Sequence, residues 1–233
     1  MTALLPETTG REDFKEILRL IRPGSRVLDV GCGEGALLEL LSQDKGVDGR
    51  GVEISPEGVA ACLARGLSVV QGDADHDLDD FPSGAFHYAV LSQTLQAVRQ
   101  PRHVLSELLR IADRAIVSFP NFGHWRVRWS LLHRGRMPET KALPDPWWAT
   151  ANIHLCTLRD FMGLAEDLDL QIESCAALTR GKNARSIDPE KGLENWRAEA
   201  AIFMLSRRGP APRRMADEDA PVEPAAASDL FNP

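Results

Sequence analysis

The chain has 233 residues, of which 43% are hydrophobic and 26% charged, and its formal net charge is −7. This composition is typical of a globular protein with room for one α/β domain and an appendage. The acidic balance argues against a broad nucleic-acid interface or an anionic membrane surface, and no apolar run approaches the roughly 20 residues of a membrane span.

The first two thirds of the chain alternate helical and strand patterns. Apolar residues at helical spacing predict a first helix over Glu12–Ile21, which Pro23-Gly24 ends. Strands are predicted at Arg26–Val30, Arg50–Ile54, Ser68–Gln71, Phe86–Ser92 and Ala115–Phe119, with intervening helices at Ala36 to about Ser42, Pro56 to about Arg65 and Pro101–Ile111. The acid-rich stretch from Asp73 to Asp80 is predicted to be a loop. The almost wholly apolar fourth strand is typical of the centre of a parallel sheet.

The last third is less regular. A helix is predicted at Leu158–Leu168 and strands at Leu170–Leu178 and Ala200–Ser206, with a polar loop or hairpin arm from Thr179 to Trp196. The pattern predicts an α/β fold with a Rossmann-like, seven-stranded, mostly parallel sheet and helices on both faces. Residues 1–206 are expected to form a single domain with an inserted segment at 120–156, followed by a disordered acidic Pro/Ala tail at 207–233.

A glycine loop follows the first predicted strand. Gly31, Gly33 and Gly35 occupy alternate positions, and an apolar, helix-favouring stretch comes next. A strand, a glycine loop and a helix in this order are the first βα unit of a nucleotide-type fold, in which a ligand approaches bare backbone.

The acids around this loop indicate the charge of its ligand. Asp29 precedes the loop and Glu34 lies within it; both would oppose a pyrophosphate at the helix N-terminus. S-adenosylmethionine carries an ammonium and a sulfonium and no phosphate, so its charge suits these acids. Glu53, at the end of the second strand, is placed to accept hydrogen bonds from both ribose hydroxyls, and Asp73, after the third, to meet an adenine amino group. The predicted donor-binding residues are Asp29, Gly31, Gly33, Gly35, Glu53, Ile54, Asp73, Ala74 and Ser92.

The segment from Pro120 to Cys156, the inserted segment, is unusual in composition. It holds four of the five tryptophans, Trp125, Trp129, Trp147 and Trp148, among the basic residues Arg126, Arg128, Arg134, Arg136 and Lys141. It follows the fifth strand and so is expected at the edge of the sheet where ligands bind. Three interpretations remain open: a lid over an acceptor pocket, a docking surface, or tryptophans that pack the segment onto the domain.

Histidines in the inserted segment are the weak candidates for catalysis. His124 and His154 flank the expected pocket, where either could act as a general base, although a structural role is the simpler interpretation. The spacing of His124, His133, His154 and Cys156 fits no compact zinc pattern, so no metal is predicted. Methyl transfer from a sulfonium requires mainly alignment, and the acceptor site is not evident from the sequence.

The cysteines and the N-terminus bear on the compartment. Cys32, Cys62, Cys156 and Cys175 are scattered without a C-x-x-C pair, which favours reduced thiols in a cytoplasmic protein. Met1–Gly10 lacks the basic and apolar regions of a signal peptide, so none is expected.

Taken together, these motifs resemble the MetW proteins of bacterial methionine biosynthesis. The resemblance covers roughly residues 11 to 178 and is carried by Arg11-x-Asp13-Phe14, Val27–Gly33, Gly51–Ile54, Leu91–Ala97, Ser118–Arg126, Gly135–Pro138 and Asn152–Thr157. It implies a class I methyltransferase fold and a role in making methionine. It also implies that Asp29, Gly31, Gly33, Glu53 and Asp73 hold S-adenosylmethionine, and that the protein supports a homoserine O-acyltransferase.

Two hypotheses follow for the function. In the first, the chain is an accessory subunit that binds the acyltransferase through Trp125, Arg126 and Trp129 and senses S-adenosylmethionine. In the second, it is a small-molecule methyltransferase that uses the inserted segment as a lid. A fold alone does not decide between them.

Overall fold

The structure, a computed structural model, describes residues 11–139, 143, 146–179, 182–191 and 193–209. Lys141 and the predicted tail from residue 210 onward lie outside the described residues. No helix in these ranges is long and apolar enough to cross a membrane.

One eight-stranded sheet runs through the described chain, with the strand order β3-β2-β1-β4-β5-β8-β6-β7. The strands are β1 (Arg26–Val30), β2 (Asp48–Glu53), β3 (Ser68–Gln71), β4 (Phe86–Ser92), β5 (Ala112–Pro120), β6 (Leu170–Leu178), β7 (Arg185–Ser186) and β8 (Ala200–Arg207). The first five strands pair in parallel, whereas β8 is antiparallel to β5 and to β6, which pairs with β7. From β1, the next two strands are added on one side of it, and β4 and β5 are added on the other side. The position between β1 and β4 is therefore the topological switch point, beside which ligands bind in such sheets.

Helices bury the two faces of the sheet. They are α1 (Glu12–Leu20), α2 (Ala36–Lys45), α3 (Pro56–Ala64), α4 (Pro101–Ile111), α5 (Trp125–Arg134), α6 (Leu158–Asp167) and the single turn α7 (Glu194–Arg197). Because side chains alternate along a strand, Val27 packs in the core cluster with α1 and α2, while Leu28 and Val30 pack in the cluster with α4 and α6. The α/β, mostly parallel architecture that the sequence predicts is therefore confirmed.

Tertiary pairing accounts for the differences from the predicted elements. The sheet has eight strands and not the predicted seven. The additional strand is β7, which is two residues long, lies within the predicted loop or hairpin arm and pairs with β6. β2 begins at Asp48 rather than Arg50, since Arg26 pairs with Asp48, and β5 begins at Ala112, directly after α4. A single 3₁₀ turn at Asp77–Asp80 lies within the predicted acidic loop, and β8 runs one residue into the predicted tail, to Arg207.

Candidate functional site

The glycine loop bends from β1 into α2 at the carboxyl edge of the sheet. The N–H of Gly31 donates to the carbonyl of Val52 at 2.8 Å, which ties the loop to β2. Gly31 has φ +73° and a Cβ there would lie 2.7 Å from Thr94 Oγ1, whereas Gly33, at φ +57°, faces open space. Gly35 precedes the first residue of α2. The loop is therefore packed on one side and open at Gly33, where a ligand can approach the backbone.

Glu53 joins this loop to the end of β2. Its Oε2 accepts from the Gly33 N–H at 2.7 Å and its Oε1 from the Ser55 N–H at 2.9 Å, and the side chain is buried. Ser55 in turn caps α3 by accepting from Gly58. Each carboxylate oxygen retains acceptor capacity for a hydroxyl group, so Glu53 is both a fixed part of the loop and a candidate ribose ligand.

Asp29 is a buried carboxylate at the tip of β1. It is 2% exposed, and its Oδ1 has no hydrogen-bond partner among the described residues. Burial raises the pKa of Asp29 to about 7; Arg11 opposes the rise, and Asp13 and Glu53 add to it. A buried carboxylate without a partner is destabilising, so binding of a cation or a hydrogen-bond donor next to it is favourable.

The third predicted acid lies next to Glu53 along the edge. The N–H of Gly72 donates to the carbonyl of Glu53, and Asp73 Oδ1 accepts from the Asp75 N–H at 2.9 Å. Ile54 is exposed, and Ala74 is partly buried against the core. The structure thus brings the tips of β1, β2 and β3 together in adjacent positions, with Asp29 on β1, Glu53 on β2 and Asp73 two residues beyond β3.

Ser92, at the tip of β4, belongs to a network that sequence reasoning missed. Its hydroxyl donates to Asp13 Oδ2 at 2.6 Å and accepts from Arg11 Nη2 at 2.8 Å. Asp13 is buried, and Arg11 holds both of its oxygens, at 3.1 and 3.0 Å. The Arg11-x-Asp13-Phe14 motif was the available signal, but a charged first helical turn is typical of a solvent-exposed helix end.

The chain beyond β4 is strained and carries an unpartnered amide oxygen. Gln93 has φ +56°, unusual for a non-glycine residue. The Oε1 of buried Gln96 has no hydrogen-bond partner among the described residues, and its backbone carbonyl accepts from the N–H groups of Ile153 and His154. The end of the inserted segment is thereby anchored beside the tip of β4.

The two candidate histidines occupy different environments. His124 is buried and caps α5, with its Nδ1 accepting from the Arg126 N–H at 3.4 Å; burial lowers its pKa. His154 is exposed, and its Nε2 lies 3.3 Å from the carbonyl oxygen of Arg99. Both histidines therefore have a structural partner, and a catalytic role for either stays a prediction.

The inserted segment presents aromatic side chains to solvent. Trp125, Trp129 and Leu132 share one face of α5, and Trp129 is 58% exposed. Trp147 and Trp148, further along, are 69% and 71% exposed. A cavity of about 240 Å³ lies within the segment, lined by Phe122, Met137, Pro138, Leu143, Trp147, Thr150, Asn152 and Leu155. Packing onto the domain is thus not the role of every tryptophan.

One group of metal-ligating side chains was not anticipated from the sequence. Within the described ranges, Asp79, His103 and Glu107 place their ligand atoms within 4.8 Å of one another. His103 Nε2 pairs with Asp79 at 3.3 Å and Arg110 pairs with Glu107 at 2.6 Å. These contacts account for the cluster as polar contacts of the protein itself, one between the 3₁₀ turn and α4 and one within α4.

Comparisons with known proteins decide the family. The family model described as "Methionine biosynthesis protein MetW" matches residues 11–205. The chain belongs to the MetW family. A bifunctional methionine biosynthesis protein MetXA/MetW from Rhodopirellula baltica is 32% identical over 214 residues, which cover 88% of this chain and 34% of that protein. An ajmaline N-methyltransferase from Rauvolfia serpentina is 23% identical over 175 residues, covering 72% of this chain and 57% of that protein.

Solved structures show the same fold for this MetW chain. An S-adenosylmethionine-dependent methyltransferase from Thermotoga maritima aligns with a TM-score of 0.61 at 15% identity, over 84% of this chain and 91% of that one. The chain thus has the class I methyltransferase fold. The chain spans about a third of the length of the Rhodopirellula relative and somewhat over half that of the ajmaline methyltransferase.

Proposed function

We propose that this MetW chain binds S-adenosylmethionine at the tips of β1 to β3 and acts with a homoserine O-acyltransferase in methionine biosynthesis. The observation that carries the first half is the carboxylate of Asp29, buried with an unpartnered oxygen beside an open glycine loop. A buried acid of this kind is costly unless a ligand supplies a cation or a donor.

The adenosyl part of the ligand has its own complement. The carboxylate of Glu53 is held rigidly by Gly33 and Ser55 and can accept from ribose hydroxyls. Ile54 is exposed next to it and can cover an adenine face, while Asp73 lies at the following strand tip. A pyrophosphate at the glycine loop would meet Asp29 and Glu34 with like charge, which favours a phosphate-free adenosyl compound.

The second half rests on the inserted segment and on a relative. Trp125, Trp129 and Leu132 form an exposed apolar stripe flanked by Arg126 and Arg128, and Trp and Arg are the residue types most enriched at interface hot spots. The Rhodopirellula relative is described as a bifunctional MetXA/MetW protein. We take its MetXA part to correspond to the acyltransferase, which favours physical association of the two activities.

A co-purification experiment tests this partnership. The tagged chain is mixed with the homoserine O-acyltransferase of the same cell, and the complex and the rate of acyl transfer are measured with and without S-adenosylmethionine. We expect a stable complex and faster acyl transfer. If S-adenosylmethionine changes the affinity of the chain for the acyltransferase, the acyltransferase must change the affinity of the chain for S-adenosylmethionine by the same factor. Failure to co-purify together with an unchanged acyl-transfer rate would contradict the partnership.

The cavity in the inserted segment favours a second candidate, a small-molecule methyltransferase. Phe122 follows β5, and Asn152 is next to Ile153, whose N–H donates to the Gln96 carbonyl, so the cavity lies toward the carboxyl edge of the sheet, where the donor residues are proposed. Its lining is largely apolar with a hydroxyl and an amide, as in many small-molecule sites. Transfer of label from methyl-labelled S-adenosylmethionine to a cell-extract metabolite, without the acyltransferase, would favour this candidate over the first.

A further inference from the structure

We propose that Arg11 is a positioning residue of the donor site: clasped between Asp13 and Ser92, its guanidinium favours the ionised form of the buried carboxylate of Asp29, the form that binds a cationic ligand. This inference rests on the proposed binding of S-adenosylmethionine. It assigns a role to the Arg11-x-Asp13-Phe14 motif that neither the fold nor the donor contacts explain.

The clasp is defined by four polar contacts and one ring contact. Arg11 Nε and Nη2 donate to the two oxygens of Asp13 at 3.1 and 3.0 Å, and Nη2 also donates to Ser92 Oγ at 2.8 Å. Ser92 completes the triangle by donating to Asp13 Oδ2 at 2.6 Å. The guanidinium carbon lies 4.1 Å from the centroid of the Phe14 ring. Held on three sides, the guanidinium has little freedom to leave the edge of the sheet.

The clasp fixes α1 to the strand tips that form the pocket. Asp13 is the buried member, and Ser118, at the end of β5, lies 3.4 Å from the same Oδ2. Ser118 also accepts from the N–H of the strained residue Gln93. The first turn of α1 is therefore built into the tips of β4 and β5. β4 pairs with β1, and the partner of Asp29 in that pairing is Val90, two residues before Ser92.

Charge explains why the clasp holds a cation. Asp29 is faced by Asp13 from α1 and by Glu53 from β2, which both disfavour its ionisation, as burial does. The thiols of Cys32 in the loop and Cys62 on α3 stay protonated beside it, because burial and the charge of Asp29 raise their pKa values. Arg11 is the cation that opposes these effects and lowers the pKa of Asp29.

Calorimetric titration with S-adenosylmethionine from pH 6 to pH 9 tests the proposal. The proteins are the wild type, Arg11→Gln, Arg11→Lys and the control Arg19→Gln, which removes an exposed arginine of the same helix that pairs with Glu16. Any titration of the ligand itself is common to all four proteins, so differences between their pH profiles report on the protein.

We expect the rise of affinity with pH to move to higher pH by about half a unit or more in Arg11→Gln, with an affinity about twofold lower or worse at pH 7 and about threefold lower or worse at pH 6. Arg11→Lys restores most of the profile, and Arg19→Gln leaves it unchanged. If Arg11→Gln fails to fold, Ser92→Ala, which removes one anchor of the guanidinium, carries the test with a smaller shift in the same direction.

The outcomes separate this inference from the proposed function. Wild-type binding with an unmoved pH profile in Arg11→Gln and Ser92→Ala overturns the role of Arg11 and leaves donor binding intact. A profile moved equally by Arg19→Gln also overturns it, since any charge on α1 would then serve. Absence of wild-type binding at every pH overturns the proposed function itself, and the inference with it.

Discussion

The proposed donor edge, formed by the tips of β1 to β3, and the inserted segment use polar and aromatic residues in opposite ways. At the donor edge, Glu53 is fixed by two backbone N–H groups and Asp29 is 2% exposed. In the inserted segment, Trp129 and Trp147 are 58% and 69% exposed. The first region is organised before any ligand arrives, at the cost of burying charge. The second exposes apolar side chains to solvent, which is typical of a surface that a binding partner covers.

Replacing Asp29 is expected to give the largest effect and to separate stability from binding. Its pKa is about 7 in the folded chain against 3.8 for an unperturbed aspartate. The folded state therefore holds a proton that the unfolded state releases, so the free energy of unfolding falls as the pH rises from about 4 to 7 and then levels off. The cost at pH 8 is on the order of 4 kcal/mol.

We therefore expect Asp29→Asn, without ligand, to unfold at a higher temperature than the wild type at pH 8 and to show a flatter pH dependence. The same variant should bind S-adenosylmethionine much more weakly. Thermal unfolding from pH 4 to pH 8 and calorimetry check both effects. A variant with an unchanged pH slope would show that Asp29 is not the buried titrating group.

Replacing Trp129 tests the other region. Because its ring is exposed and stacks on His133 at 3.6 Å within one helix, Trp129→Ala should change stability little. At the centre of an interface, the truncation would cost about 2 kcal/mol or more of partner affinity. Partner binding is measured by calorimetry or surface plasmon resonance with the acyltransferase.

Two further variants sharpen that test. Leu63→Ala removes an apolar side chain of similar exposure on α3 and should leave partner binding unchanged. Trp125→Ala should weaken partner binding and spare donor binding, although its contact with Trp196 at 6.0 Å adds a small loss of stability. Equal loss of donor and partner binding in Trp125→Ala would indicate a lid or a packing role.

Glu53→Ala should weaken donor binding by about 1–3 kcal/mol, since the ribose loses a charged acceptor. It should also lower the stability, because the N–H groups of Gly33 and Ser55 lose their acceptor. Glu173→Ala is the matched control: its carboxylate pairs with Arg114 near the opposite end of the sheet. Unchanged donor affinity in Glu53→Ala would remove Glu53 from the site.

The smallest expected effect comes from a pair of glycines with similar backbones. Gly24 and Gly33 have φ of +68° and +57°, and a Cβ would meet nothing within 4 Å at either position. Gly33→Ala and Gly24→Ala should therefore each cost about 1 kcal/mol of stability. Only Gly33→Ala should lower donor affinity, by a few fold, because its methyl group enters the open side of the loop.

The sequence predicts elements that carry their own periodicity and misses those that depend on partners. Leu170–Leu178, whose first half alternates between exposed residues and residues that are at least partly buried, is bounded as predicted, whereas Asp48-Gly49 is strand because it pairs with Arg26-Val27. At the site, the order of glycines and acids along the chain predicts that they lie at the carboxyl edge of the sheet. The clasp of Arg11, Asp13 and Ser92 spans 81 positions, and no local pattern shows that an acid in a first helical turn is buried.

The central claim is that acids at successive strand tips form a pocket for a positively charged adenosyl compound. The most direct measurement is calorimetric titration of the wild-type chain at pH 8 with S-adenosylmethionine and, separately, with a dinucleotide that carries a pyrophosphate. The account predicts saturable binding of S-adenosylmethionine and none of the dinucleotide at the same concentrations. Equal or tighter binding of the dinucleotide would contradict it.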